Sequence, residues 1–457
     1  MNGGKTVLSE QANCFNQKIN TMHKLFLLFI SFFPLLGFAQ NYTSYFTGNT
    51  NDVQTNPDGG ICLMGGATED DNAMIWFLER ANGGDVLVLR ASGSNGYNTY
   101  LYSDLGVTVN SVETIVCNNA AASNDAYVIQ KIQQAEAIWF AGGDQWTYIS
   151  YWRNTPFNNA INEAIRQRKI VIGGTSAGMA IEGEYYFSAE NGTVTSSTAM
   201  NNPYNSAVTV DSAFFIDNSI LKNTITDTHF DNPDRRGRLV TFLARIYSDY
   251  GMYANAIACD EYTAVCIDTN GIAHVYGGYP SYDDNAYFIQ ANCELTDASP
   301  ENCASANPLT WNLSGEALKV YQIKGDATGS KYFDLNTWQN GTGGNWLHWS
   351  VNNGVFTEQT GTALSCSFSE TEEFEKQEKP FLYPNPTTDQ ITVSFTNENI
   401  RHYVFELSNV HGEKLETRFT SSEFELHIDL KNFPKGFYFL TGQNPKGEII
   451  SFKIIKD

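Results

Sequence analysis

A chain of 457 residues is too long for a single hydrophobic core, so two or more domains are expected. Hydrophobic residues at 42% and charged residues at 17% exclude a disordered chain. A net charge of −22 without any Lys/Arg block excludes a phosphate-tracking surface, so nucleic acid is not an expected partner.

Residues 1–40 read as an export leader. Lys24 follows Met22, Leu25 to Phe38 is an apolar run broken only by Ser31, Pro34 and Gly37, and Ala39-Gln40 gives way to polar Asn41-Tyr42-Thr43-Ser44. This is the grammar of a signal peptide, and the run is too short to span a bilayer. Met22 is taken as the true start, the mature chain as beginning near Asn41, and no transmembrane segment is expected in it.

From Gly59 to Gly174 short apolar runs alternate with helix-like segments. Strands are predicted at Ile61–Met64, Val86–Arg90, Thr114–Cys117, Ala137–Phe140 and Ile170–Ile172, and helices at Asn72–Ala81, Asp125–Gln134 and Phe157–Arg168. Strands with little polar alternation, separated by helices, imply a doubly wound α/β domain with a mostly parallel sheet covered on both faces. Such sheets bind ligands at the carboxyl ends of their strands. After Ala256 the pattern turns to a hairpin, Ala264–Asp268 and Ile272–Tyr276 about Thr269-Asn270-Gly271, expected as an antiparallel edge of the same sheet. Leu313–Phe356 continues as β-like, Trp- and Gly-rich sequence. The domain is bounded at 41–366.

Residues 367–380 are charged and nearly without apolar residues, which marks a linker. Beyond them Gln390–Phe395, Tyr403–Leu407, Glu423–Leu430, Phe437–Leu440 and Ile449–Ile455 alternate apolar and polar residues, as a small β-sandwich over 381–457 requires.

Removing Cys14 with the leader leaves seven of the eight cysteines. Cys293 and Cys303 bracket a polar loop, the natural place for a local disulfide in an exported chain. Cys62, Cys117, Cys259 and Cys266 lie in apolar runs and read as small core residues. No CxxC pair or His/Cys cluster at zinc spacing occurs, so neither metal nor cofactor is expected.

The chemistry centres on Gly174-Thr175-Ser176-Ala177-Gly178, directly after an apolar strand. A serine in Gly-x-Ser-x-Gly on a strand-to-helix turn has its hydroxyl pushed into solvent, and a helix N-terminus beside it favours a developing oxyanion. With 37 glycines in the chain the pentapeptide alone is weak; its position after a strand gives it weight. A base is needed, and three histidines lie between leader and linker. His274 falls in an alternating strand and His348 among Trp346, Leu347 and Trp349, both structural settings. His229 follows Ile225-Thr226-Asp227-Thr228 and precedes a turn with Pro233 and a helix with Arg235, Arg236, Arg238 and Arg245.

Four ordered stations carry a family resemblance: Phe140-Ala141-Gly142-Gly143-Asp144-Gln145; Gly174 to Gly178; Asp227-Thr228-His229-Phe230 with Arg235 and Gly237-Arg238-Leu239; and Cys259-Asp260-Glu261-Tyr262-Thr263-Ala264. Over about Gly59 to Tyr279 the chain resembles the cyanophycinase and aspartyl dipeptidase serine peptidases. The resemblance implies a flavodoxin-like, class I glutamine amidotransferase-like fold and a peptide substrate. It implies Ser176 as nucleophile, His229 as base and Glu261 as the orienting acid, with Glu190 as the alternative. Backbone N–H groups of Gly143 and Ala177 would bind the oxyanion, and Gln145, Asp227, Arg235 and Arg238 would line the substrate pocket. Two positions depart from the pattern: Thr228 stands where the family usually has Gln, and Pro233 interrupts where it has a basic residue. The broader expectation is a peptidase cutting next to acidic residues. A catalytically inactive surface-binding module, with Trp-rich Leu335–Trp349 as its surface, and an α/β-hydrolase using Glu190 are the competing classes. A homodimer is left open.

The tail resembles the C-terminal sorting domain of type IX secretion, through Tyr383-Pro384-Asn385-Pro386, Gly412-Glu413-Lys414, Leu430 with Pro434-Lys435-Gly436-Phe437-Tyr438, and Lys453-Ile454-Ile455-Lys456. That implies the type IX machinery of a Gram-negative bacterium as partner and a secreted or cell-surface protein.

Overall fold

The computed structural model describes residues 40–212 and 215–366 and, in the tail, 381–383, 385, 387–394, 403–410, 412–421, 425–444 and 449–456. The leader and the linker fall outside the described residues. Two compact units result, one within 1–366 and one within 367–457.

The first unit is built on a ten-stranded mixed sheet. Its strands are β1 (Tyr42–Gly48), β2 (Ile61–Met64), β3 (Asp85–Arg90), β4 (Ser111–Cys117), β5 (Ala137–Phe140), β6 (Val171–Thr175), β11 (Ala264–Ile267), β12 (Ile272–Tyr276), β15 (Tyr332–Asp334) and β16 (Gly341–Thr342), in the order β1-β4-β3-β5-β6-β2-β11-β12-β15-β16. β4, β3, β5, β6 and β2 are mutually parallel, while β1 joins β4, and β11, β12, β15 and β16 follow β2, through antiparallel pairs.

β2 explains why the parallel strands lack polar alternation. Ile61 and Leu63 face a core shared with Val128, Ile132, Ile149, Trp152 and Ile161 of the helices on one side. Cys62 and Met64 face Ala73, Met74, Phe77 and Leu78 of the helix Asp71–Glu79 on the other. Both faces are dry, so both must be apolar. Asp70 caps that helix through the Ala73 N–H, and Asp125 caps the helix Ala126–Gln134 through Tyr127. Thr155, with Pro156 at the first helical position, starts Pro156–Glu163, which widens into a π-helical turn at 164–168 and stops at left-handed Lys169. The four cysteines read as core residues are buried.

The hairpin Ala264–Ile267/Ile272–Tyr276 extends this sheet at β2, as expected. A second, six-stranded sheet was not foreseen. It comprises β9 (Thr224–Asp227), β10 (Asn255–Cys259), β13 (Asn285–Ala291), β14 (Leu318–Lys324), β17 (Gly344–Asn352) and β18 (Val355–Thr360), ordered β18-β17-β14-β13-β10-β9; a small pair, β7 (Tyr186–Phe187) and β8 (Val210–Asp211), stands apart. The helix Arg236–Tyr250 packs on the second sheet through Leu239, Val240, Phe242 and Leu243. The Trp-rich segment faces inward: Trp349 is buried, and Trp338 and Trp346 pack against the core of the first sheet.

The disulfide expectation is corrected. Cys293 pairs with Cys366, not Cys303, which remains a free thiol. The pairing ties the end of β13 to the last described residue of the unit, beyond the reach of a local-loop argument.

In the second unit, strands Phe381–Tyr383, Gln390–Ser394, Glu425–Asp429 and Phe419–Ser421 form one antiparallel sheet, and Lys414–Leu415, Val404–Asn409, Gly436–Gln443 and Ile449–Lys456 another. Ile391, Val393, Leu426 and Ile428 of the first share a core with Leu407, Tyr438, Leu440 and Ile454 of the second. Among the described residues no helix is long and apolar enough to cross a membrane.

Candidate active site

The site is assembled at the carboxyl end of β2, where three remote segments hang on three successive carbonyls. Met64 O accepts the Ser176 N–H at 3.1 Å, Gly65 O the His229 N–H at 2.8 Å, and Gly66 O the Tyr262 N–H at 3.1 Å. Gly65 N–H donates in turn to Thr263 O at 2.9 Å.

Ser176 leaves β6 in a strained conformation, φ 53° and ψ −115°, and the short helix Ala177–Ala180 follows at once. The flanking glycines make the turn sterically feasible. A Cβ on Gly178 would lie 2.0 Å from Phe140 O, and one on Gly174 would lie 2.6 Å from the Gly178 carbonyl carbon. His229, also left-handed at φ 46°, follows β9. Its Nε2 is 2.8 Å from Ser176 Oγ and its Nδ1 is 2.7 Å from Glu261 Oε1. The imidazole lies directly over Gly66 (φ 118°), where a Cβ would come within 2.4 Å of Cε1 and Nε2.

Glu261 is fixed at both ends: its N–H donates to Asp231 Oδ1 at 2.9 Å and its Oε2 accepts from Asn232 Nδ2 at 3.4 Å. The bond to His229 holds its carboxyl below the ordinary range, with Asn232 and the Arg235 charge acting in the same direction. An ionised Glu261 accepts from Nδ1–H, which leaves Nε2 as the acceptor for the Ser176 hydroxyl proton. Such an arrangement can activate an alcohol as a nucleophile.

Glu190 is outside this chain of bonds. It is exposed, its N–H donates to Ser188 Oγ, and both imidazole nitrogens are already engaged. Gly142 and Gly143 follow β5 against the serine turn: a Cβ on Gly142 would be 3.6 Å from Ser176 Cβ. Their N–H groups have no acceptor among the described residues. Ala177 N–H opens the helix after Ser176. Gln145 is half-buried at the start of the helix Gln145–Trp152 and donates to Phe187 O at 3.5 Å.

Two expected pocket residues do not line an open pocket. Asp227 and Arg238 are each 3% exposed and bind one another in a two-pronged pair, Nε to Oδ2 at 2.9 Å and Nη2 to Oδ1. The guanidinium also lies over Phe187 and Phe242. A charge so enclosed must be paired internally, which removes both from contact with a ligand. Arg235 differs: it donates Nη1 to Thr228 O at 2.9 Å, while its buried Nε has no partner among the described residues. Burial, with Arg238 alongside, lowers it to about 10.

His274 and His348 are structural, the first bonded through Nδ1 to Gly329 O at 2.8 Å and the second buried and accepting the Thr362 N–H. The sequence reading missed Gly65-Gly66. A Gly-Gly pair at the end of a fully apolar strand was the available signal.

Comparison with known proteins gives two family matches. Residues 95–271 match the family model Peptidase family S51, and residues 381–457 match the secretion system C-terminal sorting domain. The chain carries an S51 domain and a secretion sorting tail. A cyanophycinase of Synechococcus elongatus is 24% identical over 227 residues, 48% of this chain and 66% of that protein. One of Geminocystis herdmanii is 26% identical over 159 residues, 34% of this chain and 54% of its own length. The chain thus matches less than two thirds of the length of these relatives. A solved peptidase structure from an acI-B1 actinobacterium matches at a TM-score of 0.38 and 16% identity, covering 51% of this chain and 91% of that one. Ser176 and His229 both fall inside the S51 match, as does Glu261.

Proposed function

We propose that this S51 domain is a serine-type peptidase, exported through the type IX route by its sorting tail. The observation that carries this reading is the unbroken chain Ser176 Oγ–His229 Nε2 at 2.8 Å and His229 Nδ1–Glu261 Oε1 at 2.7 Å. The Ser176 turn acts as a nucleophile elbow. Oγ attacks the peptide carbonyl as His229 takes its proton. His229 returns that proton to the leaving amine, and water then releases the acyl group by the reverse steps. Glu261 holds the tautomer and stabilises the imidazolium. The N–H groups of Gly143 and Ala177 receive the oxyanion.

Arg235 is the cation of this site with donor capacity left for a ligand, and its forked geometry suits a substrate carboxylate. The substrate class is accordingly peptide or isopeptide bonds next to acidic residues, cut in dipeptidase or exopeptidase fashion. A fluorophosphonate probe should label the protein and fail on Ser176→Ala, while a library of α- and β-linked aspartyl dipeptides should yield a substrate. Glu261→Gln should lower kcat by about 10³–10⁴-fold. Absence of labelling and of turnover in the folded exported protein would refute the reading and leave a binding module.

A further inference from the structure

Gly142-Gly143 poses a problem that the catalytic reading alone does not solve. A peptide between two glycines turns over at little cost, and the reversed orientation would present a carbonyl, not an N–H, to the oxyanion. Something must hold it.

Tyr148 is placed to do so. It is 1% exposed on the helix Gln145–Trp152, with its ring stacked on Trp152 at 4.5 Å. Its hydroxyl lies 2.9 Å from Ala141 O and 3.1 Å from Gly142 O, one proton serving two acceptors. A trans peptide is planar, with its C=O and N–H on opposite edges. Holding the Gly142 carbonyl on the Tyr148 side therefore turns the Gly143 N–H away from it, and the Ala141 carbonyl does the same for the Gly142 N–H. Gly142 itself abuts the serine turn, since a Cβ on it would stand 3.6 Å from Ser176 Cβ. Contact with Tyr148 is closer still: a Cβ on Gly143 would be 2.6 Å from Tyr148 Oη. Burial raises the phenol well above its ordinary value, so it stays a neutral donor throughout the working range.

Resting on the hydrolytic reading above, we infer that Tyr148 is a positioning residue that aims the Gly142-Gly143 amides at the oxyanion. It touches neither substrate nor nucleophile and acts through the peptide it pins.

Tyr148→Phe keeps the ring and its stacking and removes only the hydroxyl. On an aspartyl dipeptide substrate kcat should fall about 10- to 100-fold, a fraction of what a lost oxyanion donor costs, with KM within about twofold. A peptide aldehyde, whose hemiacetal oxygen occupies the same place, should lose affinity by the same factor as kcat/KM. Trp152→Phe, a packing change on the same helix, serves as control and should keep kcat near wild type even if its melting temperature falls further. Wild-type kcat in folded Tyr148→Phe overturns the inference, and so does an equal kcat loss in both variants. A wild-type protein that neither turns over peptide nor labels at Ser176 sinks the hydrolytic reading itself and takes this inference with it.

Discussion

Gly66→Ala gives the sharpest test of how the imidazole is held. The added Cβ would sit 2.4 Å from His229 Cε1 and Nε2, where carbon contacts settle at about 3.5 Å. The ring must therefore retreat by about 1 Å. Since Nε2 stands 2.8 Å from Ser176 Oγ, such a retreat opens the bond to about 3.8 Å, beyond hydrogen-bonding range. Displacement of this size costs roughly 10² in rate. Alanine at φ 118° adds strain of about 1–3 kcal/mol, which the backbone relieves only by shifting the Gly66 carbonyl that binds Tyr262. The assay is the second-order rate of fluorophosphonate labelling, with melting temperature followed in parallel. Labelling should slow about 100-fold while the protein remains folded. A rate within about threefold of wild type would mean that the imidazole is not seated on Gly66, and the account of the site would fail.

Arg238→Met should strand Asp227 as an unpaired buried carboxylate and cost about 3–5 kcal/mol in urea unfolding, whereas Arg235→Met should leave the urea midpoint nearly unchanged and raise KM for carboxylate-bearing substrates. Equal losses of stability in the two variants would contradict their different placement. Burial raises Asp260 to about 7, so between about pH 4 and 7 the unfolded chain binds fewer protons than the folded one, and this group's contribution to stability falls as pH rises. The melting temperature of Asp260→Asn relative to wild type should accordingly improve from pH 5 to pH 8, and a pH-independent difference would refute the assignment. Loss of the Cys293–Cys366 disulfide, in the Cys293→Ser/Cys366→Ser variant, frees a loop of 73 residues and should cost about 4 kcal/mol by chain entropy; an unchanged urea midpoint would argue against the pairing.

What could be read from the sequence follows from where burial and local pattern coincide. Ile61–Met64 and Ala137–Phe140 are strands with the predicted bounds, because strands buried on both faces carry their signal in every residue. Ser176 announced itself by glycines that the turn requires, and His229 by elimination. For β9, which delivers His229, the sequence suggests the mouth of a sheet but no strand bounds: Thr-Ile-Thr-Asp is polar by composition yet buried throughout, since Thr226 Oγ1 donates to Met179 O and Asp227 pairs with Arg238 eleven residues on. Those partners are tertiary, and no local pattern encodes them. The same holds for Cys366, whose mate lies 73 residues earlier in the chain, and for Arg238, whose carboxylate partner lies on β9.

The carbonyls of Met64, Gly65 and Gly66 have a practical consequence for mapping the site. Three consecutive residues without a reactive group set the relative placement of segments that lie more than a hundred residues downstream, and they do so through main chain alone. Side-chain replacement at Met64 would leave its tie to Ser176 untouched, so a conventional scan would score that position as packing. Only chemistry that alters the amide itself, such as an ester linkage introduced at Ser176 or His229 to delete the donated N–H, would expose how much of the alignment is carried there.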